Sequence, residues 1–390
     1  MTSPRVKKIG ILTYFGDYSN LGTNMQAYCT LSAVRNLYHL DHVEIINYSA
    51  RANIMRPYLS SISPRSLRND IVRIWKYQAF FGRELTISRD RLVSTDVDTA
   101  LAFIRRQHYD ALYVGSDTVL ELRHRSPHRL TAYWLDGTIT CPKFLLAASS
   151  HNVIFEALSE AQQNLIAGSL NTYSLLGVRD DATHRLLSHF TPQPDRRLEI
   201  VPDPTFRYYI DYKPVEAYLQ RKSLRFSKPV VCLHLLRDST WATTLAEKFK
   251  ASGYLVASLR PARYADILLT DLAPFEQIGI YRYFSLVITH RFHDAIFSLK
   301  NLTPVLVFPE HVTDVTCYGE SKAKTLMKAF QIDGSHYMAD KRSLSAEYLA
   351  DIHREAIASF HSKEQEIRAA LVDSRDKYEA FLLKSKQFVC

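Results

Sequence analysis

A two-domain α/β fold built on parallel sheets is predicted by three features of the sequence. The chain has 390 residues, too many for one ordinary core. Short apolar runs alternate with stretches of helical periodicity, as buried parallel strands alternate with the helices that cover them. A second series of the same kind begins near Lys228, beyond a proline-rich joint that can continue neither a strand nor a helix.

The elements follow in order. Lys8 to Tyr14 is the first apolar run, and Phe15 to Thr23 is a polar loop. Asn24 to Tyr38 then puts Ala27, Leu31, Val34 and Leu37 on one helical face. His42 to Tyr48 reads as the next strand, and Ala111–Val114, Phe144–Ala148 and Tyr173–Val178 as further buried strands. Residues 51–95 break this rhythm with Arg, Ser, Pro and aromatics and no clear strand, which predicts an insertion or helical hairpin. Within it SLRNDIVRIWKYQAFF reads as a basic amphipathic helix. It is either an ordinary surface helix or a lip over a site, able to touch a ligand or a lipid head group. The joint lies from Pro202-Asp203-Pro204 to Pro214.

The second series has strands at Val230–Leu236, Tyr254–Leu259, Leu286–Thr289 and Val305–Phe308. Its helices fall near Thr240–Lys250, Pro274–Tyr283, Phe292–Lys300 and Lys322–Phe330. Ser345 to Lys386 reads as a helical tail whose Leu/Ala/Ile stripe packs back on the domains. The boundaries expected are therefore residues 1–212, 213–344 and 345–390. Two doubly wound halves imply a cleft lined by the loops after the strands.

Composition narrows the class. The net charge of +9 favours anionic partners of any kind, and no nucleic-acid signature appears. Five widely spaced cysteines argue against a disulfide framework and for a reducing compartment. The N-terminal apolar burst stops at Gly16-Asp17, too soon for a signal segment, and no run approaches ~18 apolar residues. A cytoplasmic protein is expected, with contact at the inner face of the membrane left open by the basic 51–91 stretch.

The most informative segment is LVITHRFHDAIFSL, residues 286–299. A strand ends at Thr289 and a helix starts near Phe292, which sets Arg291 and His293 at a helix N-terminus. Cations there oppose the macrodipole by roughly 0.3–1 kcal/mol each, and a bound anion would reverse that sign. The plainer alternative has both side chains in water or paired with Asp294. The Gly16–Gly22 loop lacks both the GxGxxG and the Walker spacing. His290 and His293 lack an evident third ligand, so no metal site is expected.

At this segment the sequence resembles the polysaccharide pyruvyl transferase family, which carries an Arg-x-His after a strand and at the opening of a helix. Asn20-Leu21-Gly22-Thr23-Asn24-Met25-Gln26-Ala27-Tyr28 resembles that family's Asn-Tyr-Gly…Leu-Gln-Ala entry to the first helix. Val114-Gly115-Ser116-Asp117, Val178-Arg179-Asp180 and Val201-Pro202-Asp203-Pro204-Thr205 are similar to its Gly-Ser-Asp, Arg-Asp and Asp-Pro steps. The ordered set spans roughly residues 8 to 332.

The resemblance implies two Rossmann-like halves of the GT-B type, an acceptor side first and a donor side second. It also implies transfer of an enolpyruvyl unit from phosphoenolpyruvate to a sugar or lipid-linked glycan, without a cofactor. That reaction needs cationic clamps for a carboxylate and a phosphate, for which Arg291, Arg179 and Arg237 are the candidates. It needs an acid for the methylene carbon, His293, and a base for the sugar hydroxyl, Asp117. Asn24 and Gln26 are candidates to line the cleft. Local alternatives are Arg179 paired with Asp180 or Asp181, Arg237 with Asp238, Asp117 capping the next turn, and Asn24 and Gln26 capping the first helix.

Two other readings stand beside this one. A GT-B glycosyltransferase using a nucleotide sugar would share the fold and the anion site. Leu21, where Tyr is common, departs from the family, and so do Thr118, Val119 and Leu120 after Asp117, which support a catalytically silent glycan- or anion-binding protein.

Overall fold

The structure, a computed structural model, describes residues 7–39, 42–50, 62, 66–122, 130–150, 153–192, 197–235, 239–308, 322–338 and 346–389. Seven strands form the first sheet: β1 (Ile9–Leu12), β2 (Val43–Ser49), β3 (Ile87–Val93), β4 (Ala111–Val114), β5 (Lys143–Ala148), β6 (Leu175–Val178) and β7 (Leu198–Ile200). Five form the second: β8 (Val230–His234), β9 (Leu255–Ser258), β10 (Ile267–Leu268), β11 (Leu286–Thr289) and β12 (Val305–Val307). Every pairing is parallel, from Ile9 against Val43 and Ala111 to Val287 against Cys232 and Val305.

Helices cover both faces of each sheet. They are α1 (Leu21–Tyr38), α2 (Leu67–Glu84), α3 (Val97–Arg106), α4 (Glu160–Leu170), α5 (Asp181–Ser188), α6 (Lys213–Arg221) and α7 (Thr240–Ala251). After them come α8 (Pro274–Ile280), α9 (Phe292–Lys300), α10 (Lys322–Ala329), α11 (Asp333–His336), α12 (Ala346–Ser362) and α13 (Glu364–Lys386). This is the doubly wound GT-B arrangement with a helical C-terminal tail. No described helix is long and apolar enough to cross a membrane.

Strand order decides where the working face lies. The first sheet runs β3-β2-β1-β4-β5-β6-β7 and the second β10-β9-β8-β11-β12. The winding therefore reverses between β1 and β4 and again between β8 and β11. At such switch points the loops leaving neighbouring strands part and open a crevice at their carboxyl ends.

Burial explains why these runs are continuous rather than alternating. All four residues of β1, β4 and β11 are buried, because each strand faces a core on both sides. Ile9, Ile11 and Tyr113 point into a core that continues through Cys232, Val287 and Val305 of the second sheet. Leu12, Leu112 and Val114 point the other way, against Phe103 and Ile104 of α3 and Ile166 of α4. The second sheet's outer face, Val231, Leu233 and Ile288, is sealed by Leu245 and Phe249 of α7 and Leu349 of α12. The last helix returns to the first sheet. A Cβ on Gly177 would stand 2.7 Å from Phe381 Cζ, and Tyr113 and Ser385 share a hydroxyl hydrogen bond of 2.7 Å.

Three expectations change. The 51–95 stretch, expected without a strand, contains β3; residues 51–61 and 63–65 lie outside the described residues. β3 is an edge strand, so its Arg89-Asp90-Arg91 centre stays in water and guards the edge. In place of a helical hairpin, the described part of that stretch holds the single helix α2. And α1 begins at Leu21 rather than Asn24, because Asn20 adopts the extended cap conformation and its Oδ1 accepts from Thr23 N at 3.3 Å.

Candidate active site

The β1–α1 loop is shaped from behind by two buried amides. Asn24 Oδ1 accepts from Gly16 N at 3.0 Å and its Nδ2 donates to Asn20 O at 3.0 Å. Gly16 sits at φ +79°, where a side chain would be strained. Gln26 Nε2 donates to Tyr14 O at 2.8 Å, and its Oε1 accepts from Ser116 Oγ at 2.8 Å. Both amides are 0% exposed. Expected to line the cleft, Asn24 and Gln26 instead lie one layer behind it and set the path of the loop.

Asp117 follows β4 with φ +89°. A non-glycine residue there is strained, and such strain gathers at working sites. Its Oδ2 accepts from Thr23 Oγ1 at 2.9 Å, and its Oδ1 from Thr118 N at 2.8 Å. The carboxylate is half-buried and tied to the first turn of α1.

Arg179 leaves β6 and turns inward. Asp180, its neighbour, caps α5 by accepting from Thr183 N at 2.8 Å and so is not its hydrogen-bond partner. The Arg179 Nη1 donates instead to Asp203 Oδ2 at 2.8 Å, with both side chains almost fully buried. Its guanidinium lies 5.0 Å from the centre of the Phe292 ring. Its buried Nε has no hydrogen-bond partner among the described residues. Burial opposes ionisation of Asp203, but His293, Arg179 and the Thr205 hydroxyl outweigh it and hold the carboxyl well below the usual range.

The second sheet supplies the facing wall. Arg291 caps α9 in an extended conformation, its N donates to Thr289 Oγ1 at 3.0 Å, and its Nη2 reaches Asn20 Oδ1 at 3.4 Å. His293 Nε2 stands 3.4 Å from Asp203 Oδ2. The other side of its ring lies on Gly22, where a Cβ would be 2.1 Å from Nδ1. Asp294 faces away, accepting from Tyr281 Oη and Thr289 Oγ1, each at 2.8 Å, with His234 Nδ1 at 2.6 Å. The local pairing of Arg291 or His293 with Asp294 is therefore not what forms.

The structure thus joins Asn20 to Arg291, Gly22 to His293, His293 to Asp203, Asp203 to Arg179, and Thr23 to Asp117. Arg237 lies outside the described residues. Sequence reasoning missed the role of Asp203, quoted only as part of a motif, and missed Lys322 altogether. Burial, and then Arg179, lowers the Lys322 ammonium to about 8 against the opposing charges of Asp180, Asp117 and Glu121. Its signal was present: Lys322 opens a helix with no acid in the first turn, the same opposition to the dipole that marks Arg291. Among the described residues no three His, Cys, Asp or Glu side chains are grouped to hold a metal ion.

Behind Arg291, burial and the neighbouring His234 and Arg291 push the His290 imidazole down to about 3. Between that value and the ordinary ~6.5 the unfolded chain carries the extra proton, so stability must fall as the pH drops through this window. Urea midpoints from pH 7 to 4 should show this fall, and His290→Asn should flatten it by about one proton. An unchanged slope in the variant would assign the acid sensitivity to other groups.

A family model described as polysaccharide pyruvyl transferase matches residues 20–311, a span that includes Asn20, Asp117, Arg179, Asp203, Arg291 and His293. No curated protein matches the chain. Among solved structures, the chain is similar to UDP-GlcNAc 2-epimerase from Neisseria meningitidis bound to UDP-GlcNAc, at 8% identity and a TM-score of 0.53 over 98% of this chain and 99% of that one. It is similar to Arabidopsis thaliana UGT89C1 complexed with UDP-L-rhamnose, at 13% identity and a TM-score of 0.51 over 98% and 100%. It is also similar to S. aureus MnaA with UDP, at 11% identity and a TM-score of 0.51 over 92% and 91%. At such identities the likeness is one of fold.

Proposed function

The chain belongs to the polysaccharide pyruvyl transferase family and is a transferase, and from that premise we propose that it moves the enolpyruvyl unit of phosphoenolpyruvate, as a pyruvyl ketal, onto two hydroxyls of one sugar in a cell-surface polysaccharide or its precursor. The observation that carries this reading is a pair of cationic groups from different sheets: Arg179, paired with the Asp203 that also meets His293, and Arg291, which reaches Asn20 from the opening of the helix that carries His293. Two clamps suit a donor with two anionic groups. Lys322 is a third cation within the field of Arg179 and Asp117.

In this reading the donor's carboxylate and phosphate lie against Arg291, Arg179 and Lys322, with Arg237 as a further candidate. His293 gives a proton to the methylene carbon, and the electron pair of the double bond forms the new C–H bond. Asp203 holds a negative charge beside the ring that loses the proton. Asp117 takes the proton of the attacking hydroxyl, whose oxygen bonds to C2. Phosphate then leaves with the electron pair of its C–O bond, and the second hydroxyl bonds to C2 and closes the ketal, its proton passing to His293 and restoring the acid. Side chains supply the charge, so the step needs no metal or cofactor. Cys29, Cys141 and Cys232 are free thiols, as suits a cytoplasmic protein.

Thermal-shift binding tests the donor. Phosphoenolpyruvate at ~100 times its dissociation constant should add about 2.7 kcal/mol of stability. Arg291→Ala should abolish that shift while the unliganded melting temperature stays within a few degrees, since the Arg291 side chain makes no capping hydrogen bond. Equal affinity in the variant would remove Arg291 from the donor site. A shift with UDP-sugars alone would replace this reading with nucleotide-sugar glycosyl transfer.

A further inference from the structure

Outside the cleft, α2 presents a face that its packing does not use. Leu67, Ile71 and Trp75 recur at every fourth position and so form one stripe. They are 49%, 55% and 67% exposed. Among the described residues none of the three joins a core cluster. A contiguous exposed apolar stripe marks a surface that meets another phase or partner.

Charge indicates which. From Arg51 to Arg91 the sequence has nine basic and three acidic residues, so this short stretch carries six of the chain's nine net positive charges. Arg68 and Arg83 are exposed on the helix, and Arg89 and Arg91 on the edge strand that follows. A second copy on this face would meet its own positive charge. An anionic lipid surface offers acyl chains to the stripe and phosphates to the arginines, the pattern of helices that lie in a membrane interface.

The opposite side of α2 is fixed at the mouth of the cleft. Arg73 Nε donates to Tyr18 O and its Nη1 to Thr270 O, each at 3.1 Å. Lys76 Nζ lies 2.8 Å from Glu276 Oε2, and Asn69 Nδ2 donates to Thr270 Oγ1 at 3.2 Å. These bonds tie the helix to the loop that enters α1 and to the second sheet's side. The outward stripe is therefore held in place without any contribution from its own apolar residues.

We propose that the outer face of α2 docks on an anionic membrane surface, with Leu67, Ile71 and Trp75 among the acyl chain ends and Arg68 and Arg83 on lipid phosphates. A lipid-linked acceptor would then meet the cleft from the bilayer, a consequence that rests on the transfer reading above. Docking itself does not.

Sedimentation with vesicles tests it, using phosphatidylcholine alone and phosphatidylcholine mixed with phosphatidylglycerol. The full chain should bind the mixed vesicles, bind the neutral ones far less, and be released by salt. Trp75 emission should shift to the blue on binding. Leu67→Ser, Ile71→Ser and Trp75→Ser together should lower binding by roughly tenfold or more, with an unchanged melting temperature. Arg68→Glu with Arg83→Glu should act similarly at low salt. No binding by the full chain, or undiminished binding by the triple variant, would overturn the proposal. A change of oligomeric state in the triple variant with no vesicle binding by the parent would make the face a self-association surface instead. None of these readouts needs turnover, so failure here leaves the transferase reading intact, and loss of phosphoenolpyruvate binding would leave docking intact.

Discussion

Asp203→Asn is expected to lower both stability and turnover. The carboxylate is 1% exposed and accepts from Arg179 Nη1 and from Thr205 N and Oγ1, with His293 Nε2 nearby. Removing its charge leaves the Arg179 guanidinium buried and uncompensated, which costs about 3–5 kcal/mol. Turnover should fall by roughly 10²–10⁴, since the imidazole loses the charge that orients it. A second variant separates the two effects. Asp203→Asn combined with Arg179→Gln removes both charges, so the urea midpoint should recover much of its loss while turnover does not. An Asp203→Asn midpoint equal to that of the parent would show that Arg179 does not depend on this partner.

Gly22→Ala is expected to spare the fold and disable the site. Gly22 lies in the first turn of α1, where alanine is the better helix former by up to ~1 kcal/mol. The added methyl would nevertheless stand 2.1 Å from His293 Nδ1 and 2.3 Å from its Cγ. A backbone neighbour could not yield that far, but an imidazole at the end of its side chain can swing away. The melting temperature should therefore hold within a few degrees. Turnover should fall by about 10² or more, because a displaced group no longer reaches its reacting atom. Donor binding through Arg291 should persist. Full activity in Gly22→Ala would sink the assignment of His293 as the acid in this position.

Much of the frame was readable because the strands are buried on both faces. IGIL, ALYV and LVIT have no polar side to obscure them except the terminal Thr289, which is itself turned inward. β3 was hidden for the converse reason: an edge strand can place Arg89, Asp90 and Arg91 in water, so hydrophobicity carries no signal. At the site, Arg291 and His293 announced themselves by an unfavourable position on their own helix. The partner of Arg179 could not be read locally. Asp203 is 24 positions further on, and only the adjacency of β6 and β7 brings it near. The inward roles of Asn24 and Gln26 were equally invisible, since they depend on the loop folding back over α1.

The return of α13 to the first sheet has a consequence for how the molecule is made. The ring of Phe381 fills the space above Gly177, Ser385 closes on Tyr113, and Phe388 meets Phe144 with ring centres 6.0 Å apart. Translation delivers the chain from its N-terminus, and domains ordinarily fold as they emerge. Here the seven strands of the first sheet all leave the ribosome before the helix that seals one of their faces. Its apolar side must stay uncovered while the whole second sheet is synthesised, so the half that is born first is finished last.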